Sequence, residues 1–401
     1  MPAARPAGGD RDALSVAAGI SACVAAYGVY LGLPLILGAL ANIDGFSNAE
    51  IGWIGSAENT GLLIGSVAVS ALGAAFRFRT LAAAGIALAI VGDAITPGVH
   101  AFGAFCAVRL AAGLGGGMCY SAAVAALSRT RNPARSFSIF VVILVIANSL
   151  ELWTIPGIVA HGGLRGLYFA LAALYAAPVA LLRYLPEGGT AAGAVVEAGP
   201  DVDGASVPAP WIPASLAFGC LLGIVLFNVA ASAFWAYGER IGASIGLSER
   251  TVSNVLTICN LVSLTGSVIA YAASRRWGQH RPQLAATALM IAVFAVWALW
   301  LTPFLFGLGI LIFFQVWSVV SVYQLGTLSA IDRTGRRVAL VPAAQGVGQS
   351  AGPLFAAALI AWHFGFQQIL FAASLFAVGS FAAYGMVYGR LRWIDRAVAN
   401  G

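Results

Sequence analysis

Long apolar runs alternate with short polar segments along the whole chain. The hydrocarbon core of a bilayer is about 30 Å thick, and about 20 apolar residues in a helix span it. Such runs predict twelve transmembrane helices, near residues 14–41, 49–73, 80–97, 101–127, 136–160, 165–184, 211–237, 248–273, 282–302, 304–328, 338–361 and 366–388. The pattern therefore predicts an all-α membrane protein.

One long polar interruption divides these runs into two groups of six. Residues 185–210 are rich in Gly, Ala, Pro and acids, which is typical of a flexible linker. The predicted domains are therefore a cytoplasmic tail, a six-helix bundle, the linker, a second six-helix bundle and another cytoplasmic tail, over 1–13, 14–184, 185–210, 211–388 and 389–401.

Several motifs recur about half a chain apart. Thr96-Pro97 closes the third run and Thr302-Pro303 the ninth. Ser47 opens the second run with a Ser-x-x-Glu capping box, and Ser248 opens the eighth run. Six spans in each half give both halves the same orientation. The recurrence predicts two parallel six-helix repeats related by an axis along the membrane normal.

Composition excludes a water-soluble fold. Only 9% of the residues are charged and the mean hydropathy is +0.89, whereas soluble domains carry about 25% charged residues. The net charge of +6 does not indicate nucleic-acid binding, because the arginines are concentrated in the tails and in alternate short loops. By the positive-inside rule, this asymmetry places both termini and the linker in the cytoplasm and predicts a multi-pass protein of the cell (inner) membrane.

No motif indicates a cofactor, a metal or catalysis. The five cysteines lie in apolar runs without metal-ligand spacing, and no phosphate-binding GxxxxGK[ST] loop occurs. No Ser/His/Asp set is found. We therefore expect neither an enzyme nor an ATP-driven pump.

Two motifs carry a family resemblance. Arg109-Leu-Ala-Ala-Gly113-Leu-Gly115 in the fourth run and Gly348-Gln-Ser-Ala-Gly352-Pro353 in the eleventh resemble the Arg-x-x-x-Gly-x-Gly and Gly-x-x-x-Gly-Pro motifs of the major facilitator superfamily. The resemblance implies a monomer with twelve helices that moves a small solute by alternating access. It also implies that helices one, four, seven and ten line the cavity.

Two stretches depart from the family pattern. The loop after the second run, 73–79, lacks the acid and the second Gly of the family's Gly-x-x-x-Asp-Arg-x-Gly-Arg-Arg motif, whereas the loop at 332–337 resembles that motif more closely. The antiporter motif of the fifth run is reduced to Pro156-Gly157 and the residues that follow.

Four charged residues lie at membrane depth within the predicted spans, away from the span ends: Glu58, Asp93, Arg109 and Glu151. A charge at membrane depth costs at least about 2.5–3.5 kcal/mol on insertion scales, so it usually has a partner. Glu58, Arg109 and Glu151 each fall about 13 Å below the outer boundary at 1.5 Å per residue. We predict a buried charge network around Arg109, with Asp93 nearer the outer end in a solvated interfacial position.

The network has three interpretations. In the first, the network couples transport to protons, because burial favours a protonated carboxyl whereas a nearby Arg favours the charged form. Glu151 is then the preferred proton carrier and Glu58 the second. In the second interpretation, the network is a fixed ion pair that orders the first bundle. Alternatively, Arg109 binds the carboxylate of a substrate, since its guanidinium suits that task.

Polar side chains in cavity-lining helices are the candidate substrate contacts. They are Arg109 and, beside it, Tyr27, Tyr30, Asn228, Gln315 and Tyr323. For each amide the alternative is an interhelical hydrogen bond, worth about 0.6 kcal/mol on average.

Small residues and prolines mark predicted helix contacts. Gly113, Gly117, Pro156, Gly157, Gly348, Gly352 and Pro353 are candidates for helix packing or gating. Static packing is the alternative interpretation.

Together these observations predict a secondary active transporter that moves a small organic solute, coupled to protons. The alternatives are an uncoupled facilitator and, from a different class, a membrane receptor or intramembrane enzyme. The expected partners are the solute, protons and the lipid bilayer.

Overall fold

A computed structural model describes residues 8–72, 76–186, 213–332 and 337–399, all of them in helices or short connections, with no strand among them. Most of the predicted linker, 187–210, and the predicted tail residues 1–7 lie outside the described residues. The α-helices are α1 Gly8–Ala39, α2 Asn48–Leu72, α3 Phe78–Ile95, α4 Phe102–Leu127, α5 Pro133–Ala176, α6 Ala214–Ser244, α7 Glu249–Val262, α8 Leu264–Trp277, α9 His280–Leu299, α10 Pro303–Ile331, α11 Val341–Ala361 and α12 Phe366–Ala399. A π-helical turn, Leu40–Asp44, extends α1, and a 3₁₀ helix, Ala177–Tyr184, follows α5.

The chain forms two compact units. The first comprises Met1–Ala198 with Glu249–Thr257, and the second comprises Gly199–Ser248 with Ile258–Gly401. Buried apolar side chains of α1, α3 and α4 form the core of the first unit. The start of α7 thus belongs with the N-terminal helices, a point that the apolar pattern did not predict.

The fifth and sixth predicted runs are two arms of α5. Gly163 interrupts the helix with φ 58° and ψ −157°, a conformation that glycine adopts without steric cost. A Cβ on Gly166 would lie 3.5 Å from the Ile158 carbonyl oxygen, so the chain folds back at this point. Residues 133–162 form the first arm of α5, and residues 164–176 form the second.

The eighth predicted run is also interrupted. Its two parts, α7 and α8, meet at Ser263, whose amide donates to the carbonyl of Cys259 at 3.1 Å and to that of Asn260 at 3.0 Å. The hydroxyl of Ser263 donates to the Asn260 carbonyl at 2.6 Å. A side chain that competes for backbone groups in this way often bends a helix.

Nine helical stretches among the described residues are long and apolar enough to cross a bilayer. One of them, Pro133–Tyr184, has 52 residues because it contains both arms of α5. Neither α2 nor α11 is among the nine, although the sequence predicts a span at each. Both are less apolar than their neighbours, since α2 carries Glu50 and Glu58, and α11 carries two glutamines.

Glycines bring α4 into backbone contact with α2. A Cβ on Gly113 would lie 2.1 Å from the Glu58 carbonyl oxygen, and one on Gly117 would lie 2.0 Å from that of Leu62. From the other side, a Cβ on Gly61 would lie 2.1 Å from the Leu110 carbonyl oxygen. Only residues without a side chain allow this approach, which weak Cα–H···O contacts then stabilise.

The second unit repeats this device between α6 and α11. A Cβ on Gly352 would lie 2.1 Å from the Ser232 hydroxyl oxygen, and one on Gly348 would lie 2.5 Å from the Asn228 Cβ. Ser232 itself donates to the Gly348 carbonyl at 3.0 Å. These contacts favour the packing interpretation of the two glycines; Pro353 is buried inside α11 beside them.

We expect Gly113→Ala to lower the free energy of unfolding by about 1–3 kcal/mol, the usual cost of overpacking. Gly103→Ala is the matched control, because Gly103 lies in the first turn of the same helix and a Cβ added there would have nothing within 4 Å. Alanine is the better helix former by about 1 kcal/mol, so the control keeps or gains stability. Denaturant unfolding in mixed micelles measures both, and equal stability of the two variants would contradict the close contact.

Candidate functional site

A buried ion cluster lies where α2, α3 and α4 meet. Arg109 Nε donates to Glu58 Oε2 at 2.6 Å, and its Nη1 donates to Asp93 Oδ1 at 2.7 Å. The same Nη1 donates to Thr96 Oγ1 at 3.1 Å. Arg109 is 1% exposed and Asp93 0%, so water screens none of these interactions appreciably.

The helix packing explains why these three side chains meet. Gly113 lies one turn after Arg109 and rests on the Glu58 carbonyl, which brings the two side chains onto facing surfaces of α2 and α4. A similarly close contact of Gly92 with Ala112, where a Cβ would lie 2.7 Å from the alanine Cβ, brings α3 against α4 beside Asp93. The glycine positions therefore determine the geometry of the cluster.

Two carboxylates face one guanidinium, so the cluster carries a formal charge of −1 when both acids are ionised. Among the described residues, Arg109 Nη2 and Asp93 Oδ2 are buried without a hydrogen-bond partner. The ring of Tyr168 lies 5.0 Å from the guanidinium carbon, a cation–π contact. Because both acids already neutralise Arg109, the cluster gives little support to a role for Arg109 in binding an anionic substrate.

The expectation of a solvated Asp93 is wrong. Asp93 is fully buried and paired with Arg109. The reason is that α3 continues through Ile95 and a 3₁₀ turn, Thr96–Gly98, follows it, so Asp93 lies within the helical segment and not at its solvated end. Thr96 lies on the same helix face three residues later and donates to the Gly92 carbonyl at 2.6 Å while it accepts from Arg109.

Glu151 lies apart from this cluster, on the first arm of α5, and its side chain packs against α1. Its carboxylate packs over two glycines of α1: a Cβ would lie 2.8 Å from Glu151 Oε1 at Gly32 and 3.6 Å from it at Gly28. The Oε1 atom is buried and has no hydrogen-bond partner among the described residues. The structure thus does not bring Glu151 to Arg109, although the sequence predicts a similar depth for both.

A cavity of about 260 Å³ opens beside Glu151, within the first unit. It lies between α1 and the two arms of α5, and aliphatic side chains form most of its wall. They include Val24, Leu31, Leu150, Ile155, Leu171 and Leu174. Thr154 is also in the wall, but its hydroxyl donates to backbone carbonyls of its own helix, at 2.9 Å to Leu150 and 3.1 Å to Glu151.

The beginning of α7 docks on the first arm of α5 close to Glu151. Ser253 donates to the Leu152 carbonyl at 2.6 Å, and Arg250 Nη1 donates to the Trp153 carbonyl at 2.9 Å. The Arg250 guanidinium also covers the Trp153 ring, 5.1 Å from its centre. Arg250 is thus held by the backbone and the ring, and no described contact joins it to Glu151.

The predicted substrate contacts have partners inside the protein. Tyr27 packs on Tyr30, with ring centres 5.0 Å apart. Asn228 donates to the Ile224 carbonyl of its own helix at 2.9 Å, and Gln315 Nε2 donates to the Val262 carbonyl at 2.8 Å. The Gln315 contact joins two helices, as expected for the interhelical hydrogen bond that is the alternative to substrate binding.

Tyr323 has the same kind of contact, since its hydroxyl donates to the Ala270 carbonyl at 2.6 Å. Of the predicted gating residues of the fifth run, Pro156 is buried inside α5, and a Cβ on Gly157 would meet nothing within 4 Å. Gly157 therefore has room for a side chain and is not required for close packing.

Sequence reasoning missed two polar groups of the cluster. Thr96 was detectable, because it follows Asp93 by three residues and shares its helix face. Tyr168 reaches Arg109 only because α5 folds back at Gly163, and no local pattern signals that contact. Gln324 is visible in the sequence as an amide of the tenth run; it is 1% exposed, and among the described residues neither of its amide atoms has a hydrogen-bond partner.

We expect Arg109→Gln to cost about 3–5 kcal/mol of unfolding free energy, because it leaves two buried carboxyls without their cation. Glu58→Gln removes the surplus acid while Arg109 keeps Asp93, so its cost is smaller. Thermal or denaturant unfolding in mixed micelles compares the two variants. A greater loss for Glu58→Gln than for Arg109→Gln would contradict this account of the cluster.

Solved structures with the same fold are membrane transporters. The human organic anion transporter MFSD10 (TETRAN) is 18% identical, with 94% of this chain and 100% of that chain covered and a TM-score of 0.65. For a D-xylose-proton symporter the identity is 14%, the coverage 94% and 97%, and the TM-score 0.71. For a bacterial homologue of the human lysosomal transporter Spinster, the values are 10%, 95% and 98%, and 0.73.

The comparison with curated proteins gives no match. The family model of the Major Facilitator Superfamily matches residues 18–330, which is more than half of the chain. This match includes the motif of the fourth run and agrees with the multi-pass helical fold. The chain belongs to the major facilitator superfamily.

Proposed function

We propose that this protein is a secondary active transporter that carries a small organic solute by alternating access, with Glu151 as the group that couples transport to protons. Family membership supports solute transport, and the similar structures include a xylose-proton symporter, a nucleoside transporter and an organic anion transporter. These neighbours differ in solute, so they support the class of activity and leave the solute to the site itself. We propose no enzymatic activity and no cofactor.

The state of Glu151 is the observation that carries the proposal. Its buried Oε1 lacks a hydrogen-bond partner among the described residues. An ionised carboxylate in apolar surroundings requires a cation or a proton to offset its desolvation. Glu151 can therefore bind and release a proton without breaking an ion pair, which suits a group that must change its charge once in every transport cycle.

In this proposal, the Arg109 cluster has a fixed structural role and holds α2, α3 and α4 together. A change of protonation at Glu58 or Asp93 would alter a pair that three tightly packed helices hold in place. Breaking such a buried pair costs several kcal/mol, which argues for a fixed role. The surplus acid leaves the cluster as the second candidate for the coupling site, and Glu58→Gln separates the two candidates.

The proposed topology has twelve crossings in two parallel repeats. The arginine-rich loops and tails support a cytoplasmic location for both termini and for the linker, in the cell (inner) membrane. The two arms of α5 supply two crossings, and α7 with α8 supplies one. The protein acts as a monomer in this proposal.

Proton movement in proteoliposomes tests the proposal. A panel of sugars, nucleosides, organic anions and organic cations is added outside vesicles that hold a pH-sensitive dye. We expect one class to move protons through the wild-type protein, and Glu151→Gln to reduce that flux to the level of empty vesicles. Glu50→Gln is the matched control, because Glu50 accepts a hydrogen bond from the Ser47 amide at the exposed start of α2.

The competing interpretations predict different results. Loss of the flux in Glu58→Gln but not in Glu151→Gln would assign coupling to the Arg109 cluster. Solute movement without protons, in both the wild-type protein and Glu151→Gln, would make the protein an uncoupled facilitator and contradict the proposal.

A further inference from the structure

We infer that the cavity beside Glu151 binds a lipophilic organic cation: an amine or quaternary ammonium group that pairs with the carboxylate and an apolar body that fills the cavity. The inference rests on the proposed function, because the cation and the proton would then compete for one carboxylate. Exchange follows directly from that competition. A bound cation releases the proton, and a bound proton releases the cation.

The wall of the cavity determines the chemistry of the ligand. Leu167, Leu171 and Leu174 of the second arm of α5 line the cavity together with Val24 and Leu31 of α1. Apolar walls contribute about 25 cal/mol for each Å² of apolar ligand surface that they bury. They offer nothing to the hydroxyl groups of a sugar, which would lose their hydrogen bonds to water on entry.

Among the described residues that line the cavity, Glu151 alone provides a polar group that is free to bind a ligand. The Thr154 hydroxyl, the other polar side-chain group of the wall, already donates to carbonyls of its own helix. An anion would meet a carboxylate without a positive partner. A neutral apolar molecule would leave Glu151 Oε1 unpaired, whereas a monovalent organic cation satisfies both the charge and the apolar wall.

An inorganic cation fits the same cavity poorly. Ca²⁺ takes six to eight oxygen ligands, and Mg²⁺ requires an octahedral set. Among the described residues, no group of three or more His, Cys, Asp or Glu side chains is placed to hold a metal ion. A quaternary ammonium ion, in contrast, needs only one counter-charge and apolar contact.

Glycines of α1 make room for the carboxylate of Glu151. A Cβ on Gly32 would lie 2.8 Å from Glu151 Oε1 and 2.8 Å from the Ile155 Cδ1. The Gly28/Gly32 pair thus lets the carboxylate lie directly on the backbone of α1. This explains why a glycine pair occurs at the contact of α1 with α5, where large apolar residues otherwise line the cavity.

The titratable groups of the neighbouring elements have other contacts. On α1, Tyr27 stacks on Tyr120 with ring centres 4.7 Å apart, and Tyr30 packs on Tyr27. On the second arm of α5, Tyr175 donates to the Ala26 carbonyl at 3.2 Å. On α7, Arg250 is held by Trp153. Glu151 is the one titratable group among the described residues that line the cavity.

Calorimetric titration of the purified full-length protein tests the inference. The probe is benzyltrimethylammonium, and its neutral isostere neopentylbenzene, in which carbon replaces the charged nitrogen, is the matched control ligand. Titrations in two buffers of different ionisation enthalpy give the number of protons released. We expect the wild-type protein to bind the cation and release a proton, and to bind the isostere much more weakly.

Variants separate the charge from the shape of the cavity. Glu151→Gln weakens binding of the cation by roughly thirtyfold or more, the usual effect of removing one partner of a buried charge pair, and abolishes proton release. Glu151→Asp retains both binding and release. Ala170→Phe fills the cavity but keeps the carboxylate, so it should weaken binding of the cation. It therefore tests the site even if Glu151→Gln fails to fold. Glu50→Gln binds like the wild-type protein.

Three results would overturn the inference. Equal affinity of the wild-type protein and Glu151→Gln for the cation is the first. Equal binding of the cation and the neutral isostere is the second, and it would indicate an apolar groove for lipid chains. The third is the absence of cation binding while a different solute drives Glu151-dependent proton flux; the proposed function would then stand without the cation site.

The proposed function can also fail by itself. If benzyltrimethylammonium binding depends on Glu151 but proton flux in proteoliposomes is unchanged by Glu151→Gln, the cation site stands and proton coupling through Glu151 is refuted.

Discussion

The N-terminal unit depends on the backbone contact that glycines allow between α4 and its neighbours. Gly113 and Gly117 lie against carbonyl oxygens of α2, and Gly61 of α2 lies against a carbonyl of α4. At this separation the helices have no room for side chains between them, so polar residues beside the contact must satisfy one another. Arg109 is enclosed between Glu58 and Asp93 for that reason.

The two acidic sites of this unit differ in what surrounds them. The Arg109 cluster is closed on every side by packed helices, and its charges are largely compensated within the protein. Glu151 is also buried at one oxygen, but it lies at the edge of an apolar cavity and has no cation beside it among the described residues. These surroundings suit the Arg109 cluster to a fixed structural role and Glu151 to proton exchange. We therefore assign the change of charge during transport to Glu151.

The sequence was sufficient to predict the helical membrane fold, the family, the capping box at Ser47 and the approximate limits of most helices, because these depend on local composition and periodicity. It also identified Glu58, Asp93, Arg109 and Glu151 as charged residues inside the helices. It could not give the rotation of each helix about its axis. Depth alone therefore grouped Glu151 with Arg109, although Asp93 is the residue that pairs with it. The return of α5 at Gly163, which brings Tyr168 to the cluster, is likewise a tertiary feature.

The central claim is that the protonation state of Glu151 changes when solute binds. Infrared difference spectroscopy of the protein in lipid films measures this change directly, as loss of the carbonyl stretch of a protonated carboxyl when the transported solute is added. The account predicts this loss in the wild-type protein and in Glu58→Gln, and its absence in Glu151→Gln. The same band in Glu151→Gln, or its loss only where Glu58 is intact, would contradict the account.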